Sequence, residues 1–363
     1  MRQVTLVIPT MAGGGAERVM ASMANRWVQR GDIVTIVTFS HKNTDVYPLD
    51  ETVHRVGLDM MGKSSNVFSA LCKNLWRLWR LRRAILKSNP DHVISFIDKM
   101  NVTTIMACLF SRVRVIISER VDPYLHDIGK VWDRLRIWTY PHCRAIVVQT
   151  EGIKDRIRPL MKAKPIFVIA NPARPCSNPP KNRTDATEKS RRMIAVGRLD
   201  RQKGFDLLID AFAKIAASFP KWNVVILGEG LERENLTRLI EEKELQNRVT
   251  LAGWTADPES EMHKSDLFVL SSRFEGFPNV LLEAMACGLP VIACDCPSGP
   301  KQIVRHEIDG LVVPSEDITA LSAAMERMVS DEAFRKSCAE RSAEIVERYS
   351  VKNFLTQWDN VLD

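Results

Sequence analysis

The sequence predicts an α/β protein made of two successive parallel-sheet arrays. Short apolar runs alternate with longer amphipathic stretches along nearly the whole chain, the pattern of repeated βα units. A proline-rich polar stretch over residues 173–192 breaks the alternation, which then restarts. The chain has 363 residues, 45% hydrophobic and 26% charged, which suits about two domains with sizeable cores. Residues 1–172 are therefore read as a first domain, 173–192 as a linker and 193–345 as a second domain.

The first domain starts with a strand at 4–8, after which Gly13, Gly14 and Gly15 open a helix to about residue 28. Glycines there let a ligand approach the backbone, and the free amides of a helix N-terminus suit an anion. A tight strand-to-helix turn would use the same residues. Arg18 stands where the dinucleotide fingerprint needs its third glycine, so that motif is absent. Further strands are expected at 33–39, 93–96, 113–117, 145–149 and 166–170. The strand at 113–117 runs into Ser118, Glu119 and Arg120. A polar cluster at a strand's C-terminal end is where open α/β sheets gather ligands.

Residues 66–88 read as a helix, with no acid between Gly62 and Pro90. Lys73, Arg77, Arg80, Arg83 and Lys87 fall within about 120° of arc on a helical wheel. Leu71, Leu75, Leu78, Trp79, Leu81, Ile85 and Leu86 take the opposite side, interrupted by Arg82. A solvated basic face on a core-packing helix fits this pattern. So does a face that meets anionic lipid or a diphosphate, where each basic residue is worth roughly 1 kcal/mol and Trp76 and Trp79 suit the interface.

In the second domain, strands are expected at 193–196, 224–227, 249–251, 266–270, 290–293 and 311–313. The first leads into Gly197, Arg198, Lys203 and Gly204; the second ends in Gly228-Glu229-Gly230, again without a third glycine; the third ends at Gly253. The stretch 274–283 organises this half. Glu275 lies in a Gly/Pro loop after a strand, and Glu283 lies early in an apolar helical run that stops at Gly288. Two acids facing one crevice would each grip a different part of a polyhydroxylated ligand. An acidic loop beside a solvated helix glutamate is the plainer account of the spacing alone.

A net charge of +7 fits an anionic partner, whether nucleotide, membrane surface or nucleic acid, without choosing among them. The eight cysteines are scattered, with no CxxC and no His/Cys ligand spacing, and are read as buried or free thiols in a reducing compartment. Cys294 and Cys296 are too few for a structural zinc site. The opening apolar run is too short for a signal-peptide core, and no run reaches the roughly 18 residues needed to span a bilayer. A cytoplasmic protein, peripheral on the inner face of the plasma membrane, is expected.

The ordered set of Gly-Gly-Ala-Glu at 14–17, Gly-Arg-Leu at 197–199 with Lys203 following, Gly253 after a strand, and Glu275 paired with Glu283 resembles the GT4 family of retaining glycosyltransferases with the GT-B fold. Within it the chain looks most like bacterial enzymes that extend lipid-linked oligosaccharides or surface polysaccharides. The resemblance spans essentially the whole chain. It implies two Rossmann-like domains facing a cleft, the first for the acceptor and the second for the sugar nucleotide, with a C-terminal helix in 346–363 crossing back to the first. By motif, Arg198 and Lys203 hold the donor diphosphate, Glu283 the ribose, and Glu275 the transferred sugar. The backbone of Phe277, Pro278, Asn279 and Val280 supports sugar and phosphates, Gly253 lies by the nucleobase, and Gly14 and Gly15 approach the diphosphate from the other domain.

The implied reaction moves a hexose or N-acetylhexosamine from a nucleotide-sugar, by family habit a UDP-sugar, to a lipid-diphosphate-linked glycan. Charge builds on the leaving diphosphate, and preorganised cations stabilise it. No Asp-x-Asp occurs, so neither a metal nor any other cofactor is expected, and no nucleic-acid partner. The chain departs from the family at Arg120, where many members carry a histidine. An arginine donates hydrogen bonds but is no base, so no side-chain base is assigned, and Arg120 is expected to bind the leaving group or an acceptor diphosphate. Two other readings stand beside this one: a sugar-nucleotide epimerase of the same fold, which needs a histidine-and-acid constellation, and a non-catalytic basic protein that binds membrane or nucleic acid.

Overall fold

A computed structural model describes residues 1–62, 67–124, 126–161, 163–176, 191–297 and 299–363, with side chains described throughout except at 67–72. The chain divides into two compact units, residues 1–170 with 354–363, and residues 171–353.

The first unit holds β1 (Gln3–Ile8), α1 (Gly15–Gln29), β2 (Ile33–Thr38), β3 (His54–Gly57), α2 (Val67–Lys87), β4 (His92–Phe96), α3 (Asp98–Cys108), β5 (Arg114–Ser118), α4 (Lys130–Thr139), β6 (Ala145–Val148), α5 (Glu151–Met161) and β7 (Ile166–Val168). Its sheet runs in the order β3-β2-β1-β4-β5-β6-β7, every neighbouring pair parallel. The strands are apolar on both faces because both are covered. Leu6, Ile8, Ile94 and Phe96 pack against Met20 and Trp27 of α1. Their neighbours Val7 and Val93 pack on the other side with Leu81, Ile85, Ile105 and Ile157, as the two-residue period of a strand requires. The edge strand β3 was not expected. Its residues are polar or half-exposed, so it carries no apolar run.

The second unit holds β8 (Arg191–Val196), α6 (Phe205–Ala216), β9 (Trp222–Leu227), α7 (Arg233–Glu242), β10 (Val249–Gly253), α8 (Pro258–His263), β11 (Leu267–Leu270), α9 (Asn279–Ala286), β12 (Val291–Asp295), α10 (Pro300–Ile303), β13 (Gly310–Pro314), α11 (Ile318–Ser330), α12 (Glu332–Ser342) and α13 (Ile345–Arg348). Its parallel sheet runs β10-β9-β8-β11-β12-β13. The final helix, α14 (Val351–Leu362), returns to the first unit, where Phe354 and Trp358 join the core beside Phe96. There Asp359 takes hydrogen bonds from Arg2 at 2.7 Å and Arg30 at 2.5 and 2.6 Å.

Most of the expected linker, 177–190, lies outside the described residues, as does Asn66 at the head of the basic helix. At the ends of the linker, Arg191 and Arg192 already belong to β8. Residues 171 and 172, and residues 346–353, cluster with the second unit and not the first. One reason is that the Ala173 amide donates to the Tyr349 carbonyl at 2.8 Å.

In each sheet the strand order reverses once, between β1 and β4 in the first unit and between β8 and β11 in the second. At such a switch point adjacent loops leave in opposite directions and open a crevice at the strands' C-terminal ends. The sequence-predicted site residues follow these strands: Gly14 and Gly15 after β1, Arg198 and Lys203 after β8, Glu275 after β11.

Candidate active site

In the second unit the crevice floor is backbone. The Gly197 amide donates to Leu227 O at 2.9 Å, Leu199 to Glu229 O at 2.9 Å, and Gly228 to Gly253 O at 2.8 Å, lacing together the ends of β8, β9 and β10. Only glycine fits at Gly228. Its φ is +143°, and a Cβ there would stand 1.8 Å from the Gly197 carbonyl oxygen. The Gly228-Glu229-Gly230 run, set aside as a broken dinucleotide motif, is thus the support for the Gly197–Leu199 turn. Gly204 ends the short 3₁₀ turn of Lys203 at φ +61°, with Ser271 O 2.2 Å from where its Cβ would be.

On this floor Lys203 and Glu275 come together. The Lys203 ammonium donates to Glu275 Oε1 at 2.7 Å, and Ser272 Oγ donates to the same oxygen at 2.7 Å. Both partners are largely buried, with side chains 15% and 7% exposed. Arg198 is not part of this knot. Its guanidinium is 76% exposed and pairs with Asp200 at 3.2 Å, so an incoming diphosphate would compete with Asp200 for it. Glu283 is half-buried in α9, about one turn from the helix start, because 275–278 is not helical. Phe277 is spent on packing, 5.8 Å from the Tyr349 ring. The Asn279 side chain accepts from Asn171 at 2.6 Å. Pro278 and Val280 border the N-terminus of α9, where amide groups face outward.

In the first unit Gly14 caps α1 without a side-chain hydrogen bond and Gly15 begins the helix. The Glu17 carboxylate folds back to within 2.2 Å of where a Gly14 Cβ would lie. It therefore lies over Gly14 at the start of α1, and burial raises its pKa.

At the ends of β4 and β5 a buried network of Asp98, Glu119, Arg136 and Tyr140 is met from the surface by the exposed His126. Ile97 adopts φ +78°, a conformation costly for a β-branched residue. It is held there by its amide to Ser118 O and its carbonyl to the Asn101 amide. The bend starts α3 at Asp98, whose carboxylate meets His126 Nδ1 at 2.7 Å. Burial opposes the Asp98 charge, but His126, the Lys99 amide and Arg136 outweigh it and lower the pKa. The same Asp98 hydrogen bond raises the His126 pKa against burial. Beside them Glu119 is fully buried and pushed up to about 7, mainly by desolvation. It accepts a hydrogen bond from the Tyr140 hydroxyl, with Arg136 Nε 4.0 Å away.

No histidine-and-acid pair is evident along the sequence, yet the fold brings Asp98 and His126 together. The only sequence signal was an acid directly after a strand. Arg120, expected to meet a leaving group or acceptor diphosphate, is 8% exposed. Its guanidinium stacks 3.6 Å from the Phe96 ring centroid, and burial lowers its pKa to about 9.

The α2 wheel also needs correction. Leu81 and Ile85 are buried, but Leu75 and Leu86, placed on the apolar side, are exposed, as are Trp76 and Trp79, the pair read as suited to an interface. They share the surface with Lys73, Arg80, Arg83 and Lys87, and Arg80 and Arg83 stack on Trp76 and Trp79 at 5.0 and 5.6 Å. Arg77 is occupied internally, donating to Met60 O at 2.9 Å and Gly62 O at 2.8 Å. Arg82 likewise donates to Ala107 O and Leu109 O. None of the described helices is long and apolar enough to cross a membrane.

The sequence matches two family descriptions, "Glycosyltransferase Family 4" over residues 13–175 and "Glycosyl transferases group 1" over residues 180–345. A Campylobacter jejuni relative is 27% identical over 99% of this chain and 97% of its own length. It is named as a GalNAc-alpha-(1->4)-GalNAc-alpha-(1->3)-diNAcBac-PP-undecaprenol alpha-1,4-N-acetyl-D-galactosaminyltransferase. Sucrose-phosphate synthase from Thermosynechococcus elongatus shares the fold, with a TM-score of 0.85 at 18% identity, covering 99% of this chain and 98% of that one. Anabaena HepE in complex with UDP does so at 0.79 and 18%, covering 99% of both. Two parallel-sheet Rossmann-like units, the glycine floor beneath Lys203 and Glu275, and these matches place the chain in the glycosyltransferases of GT-B fold that join a family 4 module to a group 1 module.

Proposed function

We propose that this glycosyltransferase carries out retaining transfer of a hexose or N-acetylhexosamine from a UDP-sugar to a lipid-diphosphate-linked glycan at the cytoplasmic face of a membrane. The observation that carries this reading is the Lys203–Glu275–Ser272 knot on the glycine floor at the β8/β11 switch point. A cation and an acid are preorganised there with most water excluded. Lys203 is placed to meet charge building on the leaving diphosphate, with Arg198 recruited from Asp200 as the second cation. Glu275 is placed to hold a sugar hydroxyl, and Glu283 the ribose. Retention follows when the leaving phosphate oxygen takes the acceptor proton on the face it departs from.

The undecaprenol-linked glycan in the Campylobacter relative's name and the UDP held by the Anabaena neighbour support the choice of acceptor and donor. The exposed basic-aromatic face of α2 supports membrane contact. The deciding experiment measures nucleotide release from a panel of UDP- and GDP-sugars, with and without lipid-diphosphate oligosaccharides. Acceptor-dependent UDP release from one sugar is expected. Release that is indifferent to every lipid-linked acceptor would overturn the acceptor assignment.

A further inference from the structure

Three side chains outside the site converge on one point in the second unit. Cys176 Sγ lies 2.9 Å from His263 Nε2 and 2.9 Å from Cys287 Sγ. All three ligand atoms fall within 4.8 Å of one another. They come from separate elements: the chain leading out of the 171–176 segment, the last turn of α8, and the C-cap of α9. Cys176 is 87 positions from His263 and 111 from Cys287, so no ligand motif appears in the sequence. Glu259, one turn back on α8, places Oε1 3.9 Å from His263 Nε2.

We propose that Cys176, His263 and Cys287 form a structural site for a thiophilic divalent cation of the zinc type, with Glu259 or solvent at the fourth position. Two thiolates and an imidazole in a tetrahedral set are a zinc donor combination. Two thiolate charges balance a divalent cation, which makes their burial tolerable. Metal–sulfur bonds of about 2.3 Å and metal–nitrogen bonds of about 2.0 Å place tetrahedral ligand atoms roughly 3.5–3.8 Å apart. Seating the ion therefore asks Cys176 Sγ to move less than roughly 1 Å away from His263 Nε2 and Cys287 Sγ. Cys287 is buried, whereas Cys176 and His263 are half-exposed, which leaves an entry path.

The site stands at the end of α9 opposite Asn279, about 12 Å along the helix axis. Its role is to pin the 171–176 segment and α8 to α9, fixing the helix whose other end borders the proposed donor site. The ion takes no part in the transfer chemistry.

The test uses the full chain purified without chelator. One equivalent of bound zinc is expected. After stripping, Co²⁺ titration of the wild-type protein should give intense visible d–d bands with an ultraviolet thiolate-to-cobalt band. Zinc should raise the thermal midpoint of the stripped protein. Cys176→Ser and His263→Gln should each weaken cobalt binding at least 10-fold and erase the zinc-dependent rise, whereas Cys338→Ser, a buried cysteine elsewhere in the unit, should leave both unchanged. Because cobalt titration of the wild type needs no variant, a poorly folded mutant does not shield the proposal. Substoichiometric metal that zinc dialysis fails to restore, cobalt spectra lacking thiolate bands, or a Cys176–Cys287 disulfide in the purified protein would each overturn it.

Discussion

The two switch points are built from different materials. In the second unit the crevice is glycine backbone around one ion pair, Lys203 with Glu275, with Arg198 held outside in solvent. In the first unit it is a set of ionisable side chains around Arg136, with Asp98 lowered in pKa and His126, Glu119 and Tyr140 raised. The first arrangement offers fixed charge at a surface that a phosphate can reach. The second stores charge whose state follows pH. The contrast teaches that donor binding should hang on unit-two glycines and the ion pair, and pH sensitivity on the unit-one network.

The largest effect that sharpens this contrast is at Glu275. Glu275→Gln should cut transfer roughly 100-fold or more, the scale for losing one preorganised group, while UDP affinity by calorimetry changes little. Glu283→Ala should weaken both. Equal loss of UDP affinity in the two variants would count against the separate roles. Gly228→Ala, with its Cβ 1.8 Å from Gly197 O, should abolish UDP binding and destabilise the second unit by well over about 1 kcal/mol in chemical denaturation.

Next in size is the α2 face. Arg80→Ala with Arg83→Ala should lower partition onto phosphatidylserine vesicles about 30-fold, at roughly 1 kcal/mol per charge. Arg77→Ala should act differently, lowering thermal stability because the Met60 and Gly62 carbonyls lose their donor. If Arg77→Ala matched the double variant in vesicle binding, the division of that helix into inner and outer cations would be wrong.

The pH effect is smaller and belongs to the first unit. Glu119 has a folded pKa of about 7 against an ordinary 4.5, so the folded chain holds that proton more tightly. The stability it lends is complete below 4.5 and lost as pH rises through 7. His126 is also raised, from 6.5, and its contribution is likewise lost as pH climbs above that value. Asp98 is lowered from 3.8 and acts in the opposite sense, losing its contribution only in acid below that value. The melting midpoint of the first unit should therefore fall between pH 5 and about 8, and Glu119→Gln should flatten most of that slope. An unchanged slope would move the titration to another group. Smallest of all, Gly31→Ala, at φ +94° with nothing within 4 Å, should cost only about 1–2 kcal/mol of backbone strain, the counterpart that shows how much of the Gly228 effect is collision.

The fold was readable because its signals are local. Apolar runs placed twelve of the thirteen strands among the described residues, and β3 escaped because an edge strand need not be apolar on both faces. The α2 face was misjudged because an arc on a wheel shows which residues share a side, not which side meets the sheet. Leu75 and Leu86 therefore point outward, and Arg77 caps carbonyls of a neighbouring loop. Arg120 was legible as an arginine after a strand, but its burial against Phe96 was not.

By itself the sequence determined the two α/β arrays, the glycine-bearing strand ends and the acids at 275 and 283, because strand period, helix period and the need for glycine are all set within a few residues of the position concerned. Only the tertiary structure decided that Lys203 meets Glu275 across 72 positions, that Asp98 meets His126 across 28, and that Cys176, His263 and Cys287 share one point. Those meetings depend on which strands lie side by side and how far each loop bends back, and no local pattern records the distance between residues brought together by a sheet.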